Sequence, residues 1–454
     1  MVRRLVPLAA AAAAGALAWA LSWQPYLGYD AVWALIWGQQ TWHGHAPTID
    51  APAAPTAHPL LNAFATLLAP FGHGAQPLLL AAAYLALGGV AWCWLRLGGA
   101  LFGRWVGAVA ALILLTRPQL LVETSQAVVD VFFLWLVSWA TLCAAEERRE
   151  RVLPLLALAG LLRPEAWLLG AVYAVAVRPR NAALAVAAPS LWALFDLAVT
   201  GDPLFSLHHT QGLAAELGRT RGHVAALRTA ADGLRASAGA TLVWIGLAGA
   251  LAGLLGRFEA SRIPAALGGL GVLAYVILGL TGLPLLPRYL LVATLALALF
   301  AALALAGWTA PVEPRRAWAA LGVVAIAALL VRLPAERDAL AAARAFSRER
   351  ERVQHDLEAI AGDPAVRAAL RRCGGLSVPD DRPHALLAWW LDRSPGSVAI
   401  GGPGPIVFSY ATPRAADAYA LGRPAAPPQG RALAANRSWR VSASGRSAGG
   451  SACP

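Results

Sequence analysis

The residues with the most chemical capacity lie where hydrophobic stretches end. Asp30 is the first carboxylate of the chain, and it follows an apolar run that closes at Leu21-Ser22-Trp23 and turns through Gln24-Pro25-Tyr26-Leu27-Gly28-Tyr29. An acidic group at a lipid boundary is costly to keep near hydrocarbon, so a functional reason for it competes with a plain one, that Asp30 caps a short helix. That helix carries Trp33 and Trp37 one turn apart, a spacing that suits indoles anchored at the membrane interface. Farther along stand Asp50, His58, Glu123, Asp130, Arg163-Pro164-Glu165, Asp202 ahead of His208-His209, and Arg288-Tyr289. Each has an ordinary reading too: Glu165 pairs with Arg163 or caps the helix after Pro164, Asp202-Pro203 forms a turn, and Arg288 snorkels to headgroups. His43, His45 and His58 show neither HExxH nor CxxC spacing, and no metal site is expected.

The elements that must position these groups are membrane helices. The chain has 454 residues, 58% of them hydrophobic and 14% charged, which is far too apolar for a soluble domain. Its basic residues are all Arg, and the net charge of +12 carries no nucleic-acid signal because no basic run is interleaved with aromatics in a folded soluble unit. Candidate spans lie at 5–23, 76–98, 105–122, 127–144, 181–199, 240–256, 262–282, 287–308 and 316–333, with 5–23 read as a retained first helix rather than a signal peptide. The stretch 152–178 holds two short helices broken at Arg163-Pro164, which brings the count to about eleven crossings.

Short cytoplasmic loops accumulate Lys and Arg, so Arg3, Arg4, Arg96, Arg104, Arg148, Arg149, Arg151, Arg178, Arg180, Arg257, Arg262, Arg315 and Arg316 mark the inner side. The N-terminus is then cytoplasmic, and the ionisable groups above converge on the outer face, as a site requires. The outer stretch 200–239 dissents with Arg219, Arg221, Arg228 and Arg235. The last three recur at heptad spacing around Val224, Leu227 and Leu234, which predicts a helix lying on the membrane surface.

Past Pro334 the composition turns to Arg, Glu and Ala with helical periodicity over 335–372, then to a Pro/Gly-rich tail. In that tail Ser397-Val398-Ala399-Ile400 and Ile406-Val407-Phe408 read as strands. A transmembrane domain over 1–334, with outer loops 24–75 and 200–239, and a small extracytoplasmic domain over 335–454 are expected. Cys93 and Cys143 fall in hydrophobic spans. Cys373 and Cys453 are the only two in the soluble region, and a disulfide between them is expected, two unpaired thiols being the alternative.

With Asp30 in the first loop, His58-Pro59-Leu60 before the next span, the Leu161-Leu162-Arg163-Pro164-Glu165 break and Arg288-Tyr289 ahead of a late helix, the chain resembles the GT-C superfamily of multi-spanning glycosyltransferases that use polyprenyl-phosphate sugars. It looks closest to actinobacterial members with an extracytoplasmic C-terminal domain, over roughly the first 330 residues. The resemblance implies an all-α polytopic fold with a small α/β C-terminal domain. It also implies transfer of a mannose- or arabinose-type sugar to a lipid or glycan acceptor of the cell envelope, at the outer face of a bacterial plasma membrane. Asp30 would act as general base, Arg163 and Arg288 would hold the donor phosphate, and His58, Asp50, Glu165 and Asp202 would contact sugar or acceptor. No cofactor would be required, and a divalent metal is not obligatory for a monophosphate leaving group. Two alternatives stand beside this reading. A transporter or lipid flippase is disfavoured because the broken pair at 152–178 has no counterpart in another half, and a non-catalytic scaffold of the same fold would share every feature but the chemistry.

Overall fold

The computed structural model describes residues 2–22, 25–310, 314–425 and 430–443. The chain divides into two compact units. One comprises Met1–Trp23, His58–Leu61 and Leu79–Ala343, the other Gln24–Ala57, Asn62–Leu78 and Arg344–Pro454.

Among the described residues the regular structure of the first unit is helical, as apolar segments must be where no water can satisfy the backbone. Among the described residues five helices are long and apolar enough to cross a membrane: Pro59–Phe102, Ala182–Thr200, Glu259–Leu280, Pro287–Thr309 and Arg315–Ala361. The number rises to seven if each of two bent pairs is one span, so the chain is a multi-span membrane protein. The expected eleven also counted shorter pieces such as Val129–Ala145 and Glu165–Val177. A 13-residue helix rises only about 20 Å, less than the roughly 30 Å hydrocarbon core.

One bent pair falls where a single span over 105–122 was expected. Arg104–Leu115 and Pro118–Ser125 meet at 56°, because Pro118 has no N–H to donate and holds Arg117 in an extended conformation, ψ 120°. The break also gives the Arg117 guanidinium its partners. Nη1 donates to the Ala238 carbonyl at 3.2 Å and to Glu336 at 3.1 Å. The second pair, His223–Ala238 and Ala240–Gly256, turns through 104° at Gly239, whose φ of +85° few side chains tolerate.

The predicted helix in 200–239 exists as His223–Ala238 and contains Arg228 and Arg235, while Arg221 precedes it. It does not simply lie on lipid. Ala226 is buried with Tyr275, Leu285 and Leu290, and Ala230 and Leu234 pack on the same cluster, leaving Val224 and Leu227 exposed.

Leu291–Ala306 is the central helix of this unit, buried along nearly its whole length. Ala240–Gly256, Arg104–Leu115 and Phe258–Leu280 pack around it. Small residues permit the approach, as expected where lipid supplies no hydrophobic drive between helices. A Cβ on Gly249 would overlap the Phe300 carbonyl, and one on Gly246 would stand 2.8 Å from the Leu297 carbonyl.

In the second unit, helix Tyr29–Trp42 packs on helix Asp381–Trp390. Trp33 and Trp37 are 0% and 1% exposed, so the expectation that these indoles anchor the chain in headgroups is corrected: apolar area this large is held in a protein core. The Trp33 ring lies 5.7 Å from that of His384, whose Nε2 is bonded to the Pro395 carbonyl at 2.9 Å.

Five strands follow in one sheet: β1 (Leu376–Val378), β2 (Val398–Ile400), β3 (Ile406–Tyr410), β4 (Arg431–Ala435) and β5 (Trp439–Ala443), in the order β2-β1-β3-β5-β4. β1 is parallel to β2 and β3, and β5 is antiparallel to β3 and β4. The two anticipated strands are β2 and β3. Helix Arg315–Ala361 runs through Pro334 without a break, and its last turns support the sheet: Trp439 Nε1 donates to the Val353 carbonyl at 2.8 Å, and Asn436 Nδ2 to the Asp356 carbonyl at 2.7 Å. Cys373 is disulfide-bonded, Cys93 and Cys143 are free and buried, and Cys453 lies outside the described residues.

Two outcomes follow. Gly249→Leu is expected to destabilise the protein by about 1–3 kcal/mol through overpacking, whereas Gly269→Ala, with no atom within 4 Å of the added methyl, leaves it unchanged; thermal unfolding in detergent compares them. Burial pushes the His384 imidazole below its ordinary value of 6.5, so the unfolded chain binds this proton more readily than the folded one. Stability from this group is complete above pH 6.5 and falls as the pH drops from there towards the folded-state value, by at most about 1.4 kcal/mol per pH unit. His384→Asn is expected to flatten that part of the pH–melting curve, and equal slopes for variant and wild type would refute the assignment.

Candidate functional site

The break at 161–164 places one charge among others. Arg149–Gly160 ends, Pro164 takes the N-cap position of Glu165–Val177, and Glu165 opens that helix, where the dipole favours a carboxylate. Asp130 opens helix Val129–Ala145 in the same way. Arg163 joins the two helix starts. Its Nε donates to Glu165 Oε2 at 3.2 Å, Nη2 to Glu165 Oε1, and Nη1 to Asp130 Oδ1. The guanidinium lies 4.3 Å from the centre of the Tyr289 ring and 5.6 Å from that of Phe133. All three charged side chains are buried, with 6%, 4% and 2% exposure for Arg163, Glu165 and Asp130.

Arg288 approaches the same cluster from the turn Pro287–Leu290. Its Nη1 is 3.8 Å from Asp130 Oδ2, an ion pair longer than a hydrogen bond, and its side chain is 25% exposed. Two cations and two anions therefore balance formally, yet unevenly. Arg163 has three donors committed to two carboxylates, while Arg288 shares one of those carboxylates and is the only member of the four open to surroundings to this extent. Arg163 holds Asp130 and Glu165 in place.

The structure thus brings Arg163, Glu165 and Arg288 together, and adds Asp130 and Tyr289. Neither has a role assignable from the sequence alone; the signal available is Asp130 as a lone carboxylate inside Val128-Val129-Asp130-Val131-Phe132. The other candidates have different surroundings. His58 packs edge-on to Trp192 at 5.9 Å. Asp202 forms the turn that its pairing with Pro203 suggested: it accepts from the Leu204 N–H at 2.9 Å and pairs with His208 at 2.8 Å, contacts that hold its carboxyl below the usual range. Asp30 and Asp50 belong to the second unit. Asp50 is exposed. Asp30 stands in the first turn of Tyr29–Trp42, and the N-cap position is held by Gly28, two residues earlier, rather than by Asp30. Tyr29 beside it donates its hydroxyl to the Ala53 carbonyl, and burial pushes that phenol up. Among the described residues no three His, Cys, Asp or Glu side chains are grouped to hold a metal ion.

Removing Arg163 leaves two buried carboxylates facing each other. Arg163→Met is expected to cost about 3–5 kcal/mol, and the triple change Asp130→Asn, Arg163→Met, Glu165→Gln to recover at least half of the loss, measured by thermal unfolding. A triple variant no more stable than the single one would show that the cluster's charges do not govern that stability.

No protein-family model matches the chain, and no curated protein matches its sequence. Solved structures do. ArnT from Cupriavidus metallidurans, in a crystal structure bound to undecaprenyl phosphate, superposes with a TM-score of 0.54 over 98% of each chain at 13% identity. The oligosaccharyltransferase of Archaeoglobus fulgidus, in its apo form, gives a TM-score of 0.51 over 90% of this chain and 70% of its own, also at 13% identity. Both are GT-C fold glycosyltransferases. From first helix to C-terminal sheet, the chain has the GT-C fold.

Proposed function

We propose that the protein is a membrane glycosyltransferase that moves a sugar from a polyprenyl-phosphate donor to a lipid or glycan acceptor. The observation that carries this reading is the Arg288 guanidinium, partly exposed at the edge of a buried, charge-balanced cluster, in a chain whose fold matches a protein crystallised with undecaprenyl phosphate. A guanidinium stays charged and offers parallel donors to phosphate oxygens. Arg288 is assigned the donor phosphate, and Arg163 the task of positioning Asp130, Glu165 and Tyr289 around it.

In the transfer an acceptor hydroxyl attacks the anomeric carbon, and the bond from that carbon to the phosphate oxygen breaks. Polyprenyl phosphate leaves with the electron pair. Asp30 accepts the hydroxyl proton, the role its place just beyond the first helix suggests. One displacement by one base inverts the anomeric centre. The developing charge on a monophosphate is less than on a diphosphate, so a single arginine is given the neutralisation that a divalent ion supplies in other transferases.

We assign the reaction to the outer face of a bacterial plasma membrane, with the N-terminus cytoplasmic and the C-terminal region extracytoplasmic, on the distribution of Arg among the turns. Mannose and arabinose are the sugars proposed, with an envelope lipid or glycan as acceptor and His58, Glu165, Asp202 and Asp50 as candidate contacts.

Membranes expressing the protein are expected to transfer radiolabel from polyprenyl-phosphate mannose or arabinose. Asp30→Asn should lower kcat about 10²-fold or more, and Arg288→Gln should reduce kcat/KM for the donor by about tenfold or more, the loss of one charge-assisted contact. Wild-type rates in Asp30→Asn would remove Asp30 from the mechanism, and no transfer from either donor by accumulated wild-type protein would sink the proposed donor class.

A further inference from the structure

The second unit holds a pair of arginines that sugar transfer does not use. Arg350, near the end of the Arg315–Ala361 helix, donates from Nε to the Ala418 carbonyl at 2.9 Å. Arg382, in the first turn of Asp381–Trp390, places its guanidinium 5.4 Å from the centre of the Tyr419 ring. The two cations flank adjoining residues of one short segment, and each lies within range of the other's charge. Like charges held together away from water are costly unless something opposes them.

Two buried donors here have no hydrogen-bond partner. Arg382 is 9% exposed, and its Nε is a buried donor without a hydrogen-bond partner. Tyr419 is 1% exposed, and its hydroxyl is likewise unpartnered. The Tyr26 hydroxyl lies beside Arg350. The nearby Asp380 does not serve as the missing acceptor: its Oδ1 takes the N–H groups of Arg382 and Leu421 at 3.0 and 3.1 Å, and its Oδ2 takes the Tyr410 hydroxyl at 2.8 Å. Native interiors rarely leave buried donors unanswered, and an orphaned group calls for a ligand, ion or water.

We propose that Arg350, Arg382 and Tyr419, with Tyr26 beside them, form a binding site for a phosphate-type oxyanion. Two guanidinium groups beside one short segment, with a phenol, supply several N–H and O–H donors, which a tetrahedral anion with several acceptor oxygens satisfies and a neutral ligand does not. The site is independent of the transfer reading, since its arginines belong to the second unit and Arg163 and Arg288 to the first. Its occupant is a phosphate group, either free or carried as a monoester on a larger molecule.

The test uses full-length protein in neutral detergent, with thermal midpoints followed against rising inorganic phosphate or glucose 1-phosphate at constant ionic strength. Stabilisation is expected in the wild type and persists in Arg288→Gln. Arg382→Gln should weaken apparent phosphate affinity about tenfold and Tyr419→Phe about threefold, the losses of a charged and a neutral hydrogen bond. A stronger response to glucose 1-phosphate supports the site with a monoester as occupant, and a stronger response to inorganic phosphate supports it with the free ion. No stabilisation in the wild type, an unchanged affinity in Tyr419→Phe and Arg382→Gln, or a response abolished by Arg288→Gln alone would overturn the proposal. Tyr419→Phe removes only a hydroxyl and keeps the test decisive should Arg382→Gln fail to fold.

Discussion

A guanidinium buried in an apolar helical bundle has to be matched on every side, and much of the first unit's local architecture answers to Arg163. Its charge is met by two carboxylates, each at the start of a helix, and its flat face is met by Tyr289. Satisfying that one group fixes where Val129–Ala145 and Glu165–Val177 begin relative to each other. It also fixes where the turn leading into the central helix lies. Pro164 contributes by ending the preceding helix within reach of Glu165, so that the arginine and its main partner are only two residues apart. The desolvation of three charges is offset by short-range pairing rather than by solvent, and such an arrangement specifies geometry more than it adds stability.

The central helix carries that geometry inward. Leu291–Ala306 follows directly on the turn that holds Arg288 and Tyr289, and it is gripped by glycine-bearing neighbours whose backbones approach its carbonyls closely. A helix packed this tightly has little freedom to slide or rotate. The arginine at its head is therefore presented from a fixed base.

Much of this was legible in the residues themselves. The apolar runs, the break at Arg163-Pro164, the pairing of Arg163 with Glu165 and the strands at Val398–Ile400 and Ile406–Tyr410 all follow from local rules of length, proline geometry and alternation. What those rules miss is pairing across distance. Asp130 stands 33 positions from Arg163, and nothing in its own neighbourhood names its partner. Trp33 and Trp37 suit an interface by spacing alone, and only the arrival of the Asp381–Trp390 helix, some 350 residues later in the chain, turns them into core. β1, β4 and β5 are too short, or too rich in Ala and Arg, to announce themselves, and they are strands because their neighbours offer a ladder to complete. Arg117 was the opposite case, a charge within an apparent span, resolved by a proline that breaks the span beside it.

The tie made by Arg117 also bears on how the protein is built. Its guanidinium is joined to the Ala238 carbonyl and to Glu336, partners that lie 121 and 219 residues downstream. At about 5–20 residues per second of synthesis, roughly ten seconds or more pass between the appearance of the arginine and that of its counter-ion. Until then the charge lacks its counter-ion, and for the first part of the interval the Ala238 carbonyl as well, so the 56° break beside it has no lock. The first helices of the unit thus enter the membrane as a provisional assembly, which the Glu336 turn closes late, like a keystone set after the arch.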